Sequence, residues 1–252
     1  MSDLLFDIQN ISKSFNRQKV LDSVNFQINR GESIVIIGQS GGGKSVLLKH
    51  LIFLMEPDEG KIIFDNIDTS ELRTSEKAQL RKRMGMLFQS AALFDSMTVG
   101  ENVGLALKES RKFKQPEIDE IVFEKLEMVG LKEAAEKFPS ELSGGMRKRV
   151  GLARAIASNP EVLLYDEPTT GLDPITGDMI NELIVELSEK LKVTSVAVTH
   201  DMNSALKIAD RVMMLYQGQI AFKGSPQQLR ETDDPIVKQF ITGSSHGPIQ
   251  VR

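Results

Sequence analysis

Apolar and polar residues alternate along LLFDIQNI (4–11) and again along VNFQI (24–28), the period-two pattern of half-buried strands, which predicts a hairpin-like sheet. After Gly31 the run SIVIIG reads as a short β-branched strand. It leads into the glycines at 41–43 and then into KSVLLKHLIFL, whose apolar spacing is helical. GKIIFD and MGMLFQ supply two more strands. From about Ser90 to Asn159 the period changes: PEIDEIVFEKLEMVGL repeats at helical spacing with Pro116 suited to a first turn, and MRKRVGLARAIA places Val150, Ala153 and Ala157 on one face. Strand signals return at VLLYD, TSVAVTH, RVMMLY and QIAFKG, with a helix-length segment from Pro174 to Lys190 between the first two.

Strands that alternate with helices predict an α/β fold with a parallel, doubly covered sheet, preceded here by antiparallel strands. The expected organisation is a core in two parts, residues 1–89 and 160–224, interrupted by a mainly helical segment, 90–159. Residues 225–252 are expected to form short helices and a polar tail, SSHGPIQVR.

Composition narrows the function by exclusion. The 252 residues are 40% hydrophobic and 26% charged, ordinary values for a chain that buries a core. A net charge of −4 argues against a general nucleic-acid binder, which carries a basic domain or stripe, although a local basic patch stays open. With no cysteine, disulfides, thiolate nucleophiles and Cys-ligated metals are excluded. MSDLLFDIQN lacks the basic-then-apolar pattern of a signal peptide, and no run reaches the roughly 18 apolar residues of a membrane span. Attachment to a membrane is therefore expected through a partner or a surface contact.

GQSGGGKS, Gly38 to Ser45, fits G-x-x-x-x-G-K-[ST] between a predicted strand and a predicted helix, the setting a phosphate-binding loop requires. Main-chain N–H groups of Gly38, Gln39, Ser40, Gly41, Gly42, Gly43, Lys44, Ser45 and Val46 can wrap phosphate oxygens because the glycines remove obstructing side chains. The helix that follows adds its positive end. Lys44 is expected to reach the β- and γ-phosphates and Ser45 to ligate Mg²⁺. A plain glycine turn is the competing reading.

VLLYDE, Val162 to Glu167, is an apolar strand ending in two acids. Alone it reads as a strand end meeting solvent; downstream of a phosphate loop it supplies Asp166 for Mg²⁺ and Glu167 as the general base for water. Both acids together favour turnover over a scaffold that only binds nucleotide. His200 ends TSVAVTH, where a side chain can project over a γ-phosphate at the carboxyl edge of the sheet. His50 and His246 are read as structural or exposed, and the three histidines lack zinc-ligand spacing.

LSGGM, Leu142 to Met146, opens the helix RKRVGLARA and resembles the ABC signature, whose commonest form has glutamine where Met146 stands. Its RKR is read as a solvated helix face. The phosphate loop, Gln89, LSGGM, Asp166–Glu167, the GLD of Gly171 to Asp173 and His200 together resemble the ABC ATPases in order and spacing, over roughly residues 4 to 230. The resemblance implies a RecA-like P-loop core with an inserted signature subdomain. It also implies a head-to-tail homodimer in which Ser143, Gly144 and Gly145 face the ATP held by Lys44 of the other copy. By the same resemblance Gln89 senses Mg²⁺ and water and touches a membrane partner, and Asp173 crosses the dimer seam. Phe15 stands where an aromatic residue stacks on adenine; a core phenylalanine is the alternative.

FQSAALFDSMTV, the methionine of LSGGM, and DDPIVKQFITGSSHGP further resemble the maintenance-of-lipid-asymmetry and wider MCE-associated lipid-transport ATPases. That likeness implies a polytopic permease, an MCE-domain lipid-binding subunit and a STAS-domain subunit at a bacterial inner membrane, with phospholipid as cargo. The tail beyond Thr242, too poor in apolar residues to fold alone, is expected to clasp the neighbouring ATPase, with disorder as the alternative. Two other functions stay open: a small-solute ABC importer, and a soluble ABC ATPase acting on DNA or ribosomes. Against the latter, only about a hundred residues separate phosphate loop and signature, too few for a long coiled coil, and one cassette is present where translation-associated proteins usually carry two.

Overall fold

A computed structural model describes residues 3–250 as an α/β protein. The chain forms two compact units. One comprises the chain up to Lys77 and again from Val196, and the other spans Ala78–Ser195.

The first unit opens on two long antiparallel strands, β1 (Leu4–Phe15) and β2 (Gln18–Asn29). The expected pairing of the two alternating segments holds, with Ile8 opposite Phe26 and Ile11 opposite Val24. The hairpin runs further than the alternation foretells, closing at Phe15 opposite Gln18 through Asn16 and Arg17, both at positive φ (49° and 67°). Those dihedrals suit a two-residue type I′ turn, whose twist matches the strands it joins. Next come β3 (Ser33–Ile37), α1 (Lys44–Leu51), β4 (Glu59–Phe64), β5 (Ile67–Asp68) and α2 (Thr74–Arg81), the last running across the boundary at Lys77. β1 also pairs with β4, which sets Phe6 against Phe64 at 4.7 Å between ring centroids, and Phe53 meets Phe64 edge-on at 5.8 Å. This aromatic cluster anchors the antiparallel sheet.

In the second unit β6 (Met84–Leu87) is followed by the helices α3 (Val99–Ser110), α4 (Gln115–Met128) and α5 (Gly144–Ile156). β7 (Val162–Asp166) and α6 (Pro174–Leu191) complete it. β6 and β7 pair in parallel, Met84 opposite Val162, and every residue of β6 is buried. α3 starts on a reciprocal cap in which Thr98 and Glu101 bond each other's main chain, a device that satisfies two otherwise orphaned N–H groups. Val150, Ala153 and Ala157 are all buried, as their shared face predicts.

β8 (Thr194–Thr199), buried throughout, carries the chain back to the first unit. There α7 (Met202–Ile208), β9 (Arg211–Tyr216), β10 (Gln219–Gly224), α8 (Pro226–Arg230) and α9 (Pro235–Thr242) follow. β3 and β9 run parallel, and β9 and β10 antiparallel. The sheet formed by β3, β9 and β10 is therefore mixed rather than uniformly parallel. Among the described residues no helix is long and apolar enough to cross a membrane.

The tail is ordered up to residue 250, and its last two residues lie outside the described chain. Gln239 of α9, nearly buried, accepts from the Ile249 N–H at 2.6 Å and donates to the carbonyls of Ile249 (3.1 Å) and Ser244 (3.2 Å). One amide side chain, together with the buried Ile249, thus holds the tail against its own chain, and disorder is not its state here. Each such bond contributes about 1 kcal/mol, so Gln239→Ala is expected to speed exchange of the Ile249 amide at least tenfold in the full chain. Hydrogen exchange read by mass spectrometry checks this; unchanged protection over residues 244–250 would show that something else holds the tail.

Candidate functional site

In the first unit, β3 ends at Ile37 and α1 begins at Lys44, so the phosphate loop occupies the strand-to-helix junction. Gly43, the N-cap of α1, has φ 95° and ψ 0°. A Cβ there would lie 3.0 Å from the Val20 carbonyl oxygen and 3.0 Å from Val20 Cγ1, so both conformation and space demand glycine. The Lys44 ammonium donates to the carbonyls of Gly38 (2.8 Å) and Gln39 (3.0 Å) and is almost wholly buried. The loop thereby holds a cation inside its own curve, facing where an anion would sit, and no acidic side chain occupies the first turn of α1.

Val20 belongs to the β1–β2 hairpin, so the hairpin packs on this loop. Phe15, at the hairpin tip, is 41% exposed, with the Lys13 ammonium 5.8 Å from its ring centroid. It is not a core residue. His200 follows β8 directly and is exposed, while Ser45 is half-buried in the first turn of α1. His50 is fully buried, its Nδ1 2.8 Å from the Met55 carbonyl oxygen, and desolvation lowers its pKa.

The second unit gathers Gln89, the signature and the two acids. Ser143 caps α5, its hydroxyl accepting from Met146 N–H at 3.3 Å, so the first turn of α5 opens beside Gly144 and Gly145. A Cβ on Gly145 would come within 2.6 Å of Thr176 Cγ2 on α6. Asp173, expected at a dimer seam, caps α6 within its own chain by accepting from Ile175 N–H (3.1 Å) and Thr176 N–H (3.0 Å). Asp166 ends β7 half-buried, and Glu167 follows it, 8% exposed and at φ 50°. That left-handed conformation is uncommon outside glycine and costs of order 1–3 kcal/mol. Thr170 Oγ1 donates to Glu167 Oε2 at 3.0 Å.

Gln89 has an exposed side chain and a tightly held main chain. Its carbonyl accepts from Lys148 Nζ at 2.6 Å, and the same ammonium donates to the Glu167 carbonyl at 3.0 Å. Arg154, two turns along α5, donates to the carbonyls of Ala91 and Ala92, both at 2.6 Å. Those alanines sit at φ 60° and 46°. Asn102 of α3, fully buried, closes the segment by accepting from Phe94 N–H (2.8 Å) and donating to the Phe94, Met97 and Thr98 carbonyls. Beside this segment a cleft of about 250 Å³ is lined by Gln89, Gly144, Lys148, Thr170 and Leu172.

The RKR run of α5 is therefore not a solvated face. Arg147 is exposed, but Lys148 is 4% exposed, and burial pushes its ammonium down to about 8 against the opposing pull of Asp166 and Glu167. The one available sequence signal was spacing: Lys148 shares the face of Leu152 and Ile156, both fully buried. Among the described residues no cluster of His, Cys, Asp and Glu could hold a metal by itself.

A strand-to-helix phosphate loop in one unit, with a capped signature helix and an acid pair in the other, defines a class, and the comparison agrees. Residues 21–170 match the ABC transporter family, and the chain belongs to it as an ATP-binding, ATP-hydrolysing cassette. Among its relatives, the probable ribonucleotide transport ATP-binding protein mkl of Mycobacterium leprae is 41% identical over 243 residues, covering 96% of this chain and 70% of that protein. The intermembrane phospholipid transport system ATP-binding protein MlaF of Escherichia coli is 42% identical over 248 residues, covering 98% of this chain and 92% of that protein. Among solved structures, a dimeric ATP-binding cassette in a post-hydrolysis state with ADP and Pi is 34% identical. It superposes with a TM-score of 0.81 over 88% of this chain and 99% of its own.

Overpacking at Gly145 has a stated cause, the Thr176 methyl. Gly145→Ala is expected to destabilise the chain by about 1–3 kcal/mol, and Thr176→Ser in the same chain to recover most of the loss. Urea-unfolding midpoints of the unaltered chain and the two variants check this. Equal losses with and without the methyl would contradict the packing account.

Proposed function

We propose that the chain is the ATP-driven subunit of an inner-membrane ABC transporter that moves phospholipid across a bacterial envelope and maintains outer-membrane lipid asymmetry. Near-complete coverage of MlaF, a protein named for intermembrane phospholipid transport, carries this reading. The FQSAALFDSMTV and DDPIVKQF segments support it. In this reading the working unit is a homodimer on the cytoplasmic face of the membrane, bound to a polytopic permease, with an MCE-domain lipid-binding subunit and a STAS-domain subunit in the assembly. The dimer of the related cassette supports pairing. Residues 90–159 form the signature subdomain, residues 1–89 and 160–224 the ATPase core, and 225–252 the C-terminal helices and tail, of which the part beyond Thr242 clasps the neighbouring copy. Ribonucleotide cargo, after the name of the mycobacterial relative, is the second reading. Proteins and lipids that co-purify from native membranes separate the two.

In this reading each residue has a task. Phe15 stacks on adenine from the hairpin tip. The main chain from Gly38 to Val46 encloses the phosphates, and Lys44 gives up the Gly38 and Gln39 carbonyls to neutralise the β- and γ-phosphate charge. Ser45, Gln89 and Asp166 present hard oxygen donors, which fit Mg²⁺. When bound, Mg²⁺ supplies positive charge at the transferring phosphoryl group. Glu167 orients the attacking water and takes its proton, its carboxylate aligned by Thr170. His200 hydrogen-bonds the γ-phosphate. Ser143, Gly144 and Gly145 offer a helix N-terminus to the nucleotide of the other copy, and Asp173 lies at the seam. ATP binding closes the dimer and hydrolysis opens it, which drives the permease.

Glu167→Gln keeps the shape and removes the base. It is expected to bind ATP with wild-type affinity, to lose at least 100-fold in kcat, and to accumulate as an ATP-bound dimer in size-exclusion chromatography. Turnover near the wild-type rate would remove Glu167 from the role of base.

A further inference from the structure

Lys148 has no part in the mechanism above, yet it is buried and bonded to two main-chain carbonyls. It lies on the buried face of α5, one turn beyond the capped N-terminus. A buried ammonium is costly unless its donors find acceptors, and a lysine kept on an apolar helix face needs a reason. Its acceptors are two main-chain carbonyls 78 residues apart in sequence (167 − 89 = 78), those of Gln89 at 2.6 Å and Glu167 at 3.0 Å.

Both carbonyls belong to segments whose backbone is off the ordinary map. Glu167 itself is left-handed at φ 50°, and Ala91 and Ala92, just after Gln89, are left-handed at 60° and 46°. Non-glycine residues persist there only when their surroundings over-determine them. Arg154, further along the same helix, secures the alanine carbonyls, and Lys148 spans both segments.

From this geometry we infer that Lys148 is a positioning residue that ties the Gln89 segment to the backbone of Glu167, so that a displacement of one moves the carboxylate of the other. The inference rests on the reading of Glu167 as the base and of the Gln89 segment as the part that meets the membrane partner. If the ammonium sets the φ of Glu167, its loss misplaces the base without disturbing the phosphate loop. The signature is then a fall in kcat at unchanged KM for ATP, with loss of the rate difference between the isolated chain and the chain in its membrane complex. A lysine that only fills space would instead lower stability, and would leave the ratio of those two rates where it was.

The test uses the full chain, alone and in its native complex, with Lys148→Met, which keeps the length and removes the donor, and Lys148→Arg, which keeps charge and donors. Steady-state ATPase assays and thermal melts are run on each, with Glu167→Gln beside them. The inference expects Lys148→Met to lose at least tenfold in kcat, to hold KM within twofold and to show the same rate free and in complex. Lys148→Arg should regain at least part of both the rate and its dependence on the complex. Wild-type coupling in Lys148→Met, or in Lys148→Arg a loss of melting temperature with no recovery, overturns it. If Lys148→Met does not fold, the Arg variant decides alone by the same rate ratio. A Glu167→Gln variant that still turns over sinks the underlying assignment of the base, whereas a dead Glu167→Gln beside an unaffected Lys148→Met sinks only the role of Lys148.

Discussion

The site depends on main-chain groups held in conformations that L-residues avoid. Phosphate recognition needs consecutive N–H groups turned to one side, and Gly43 at φ 95° provides the last step of that turn before α1 begins. Glu167 at φ 50° and Ala91 and Ala92 at 60° and 46° play the same part in the second unit without the freedom of glycine. Such residues cost of order 1–3 kcal/mol each and stay in place because neighbouring elements leave no alternative. In the first unit the neighbour is the hairpin carrying Val20, and in the second it is α5 with its buried Lys148 and half-buried Arg154.

α5 therefore does two jobs. Its N-terminus, capped by Ser143 and packed on α6 through Gly145, is the surface offered to a second copy in the proposed dimer. Lys148 on its buried face and the half-buried Arg154 fasten the Gln89 segment and the carbonyl of Glu167. A single helix thus supports groups with different partners and links the proposed dimer surface, the proposed base and the segment proposed to meet the membrane subunits.

The phosphate loop, the acid pair and the signature were legible in the sequence because each spells out a local backbone requirement, and few other reasons exist for GQSGGGKS between a strand and a helix. The strand and helix order was legible for the same kind of reason, since burial follows local periodicity. What could not be read depends on contacts distant in sequence. The β1–β2 hairpin reaches to Phe15 because Asn16 and Arg17 accept positive φ, a turn with no glycine to announce it. Lys148 looked like part of a charged face because its acceptors are carbonyls from elsewhere in the chain. Asp173 proved to be a helix cap, a role its place before Pro174 could have suggested. The polar tail lies along its own chain through one glutamine amide and the buried Ile249, contacts that local periodicity does not announce.

The central claim is that one chain carries two complementary halves of an ATP site and completes it only with a second copy. The most direct test is the specific ATPase activity of the purified full-length chain across a wide range of protein concentration at saturating Mg²⁺-ATP. A site completed by pairing predicts activity per chain that vanishes on dilution, rises with concentration and then saturates. Activity per chain that stays constant down to the lowest concentration would mean that a single copy is already a complete enzyme.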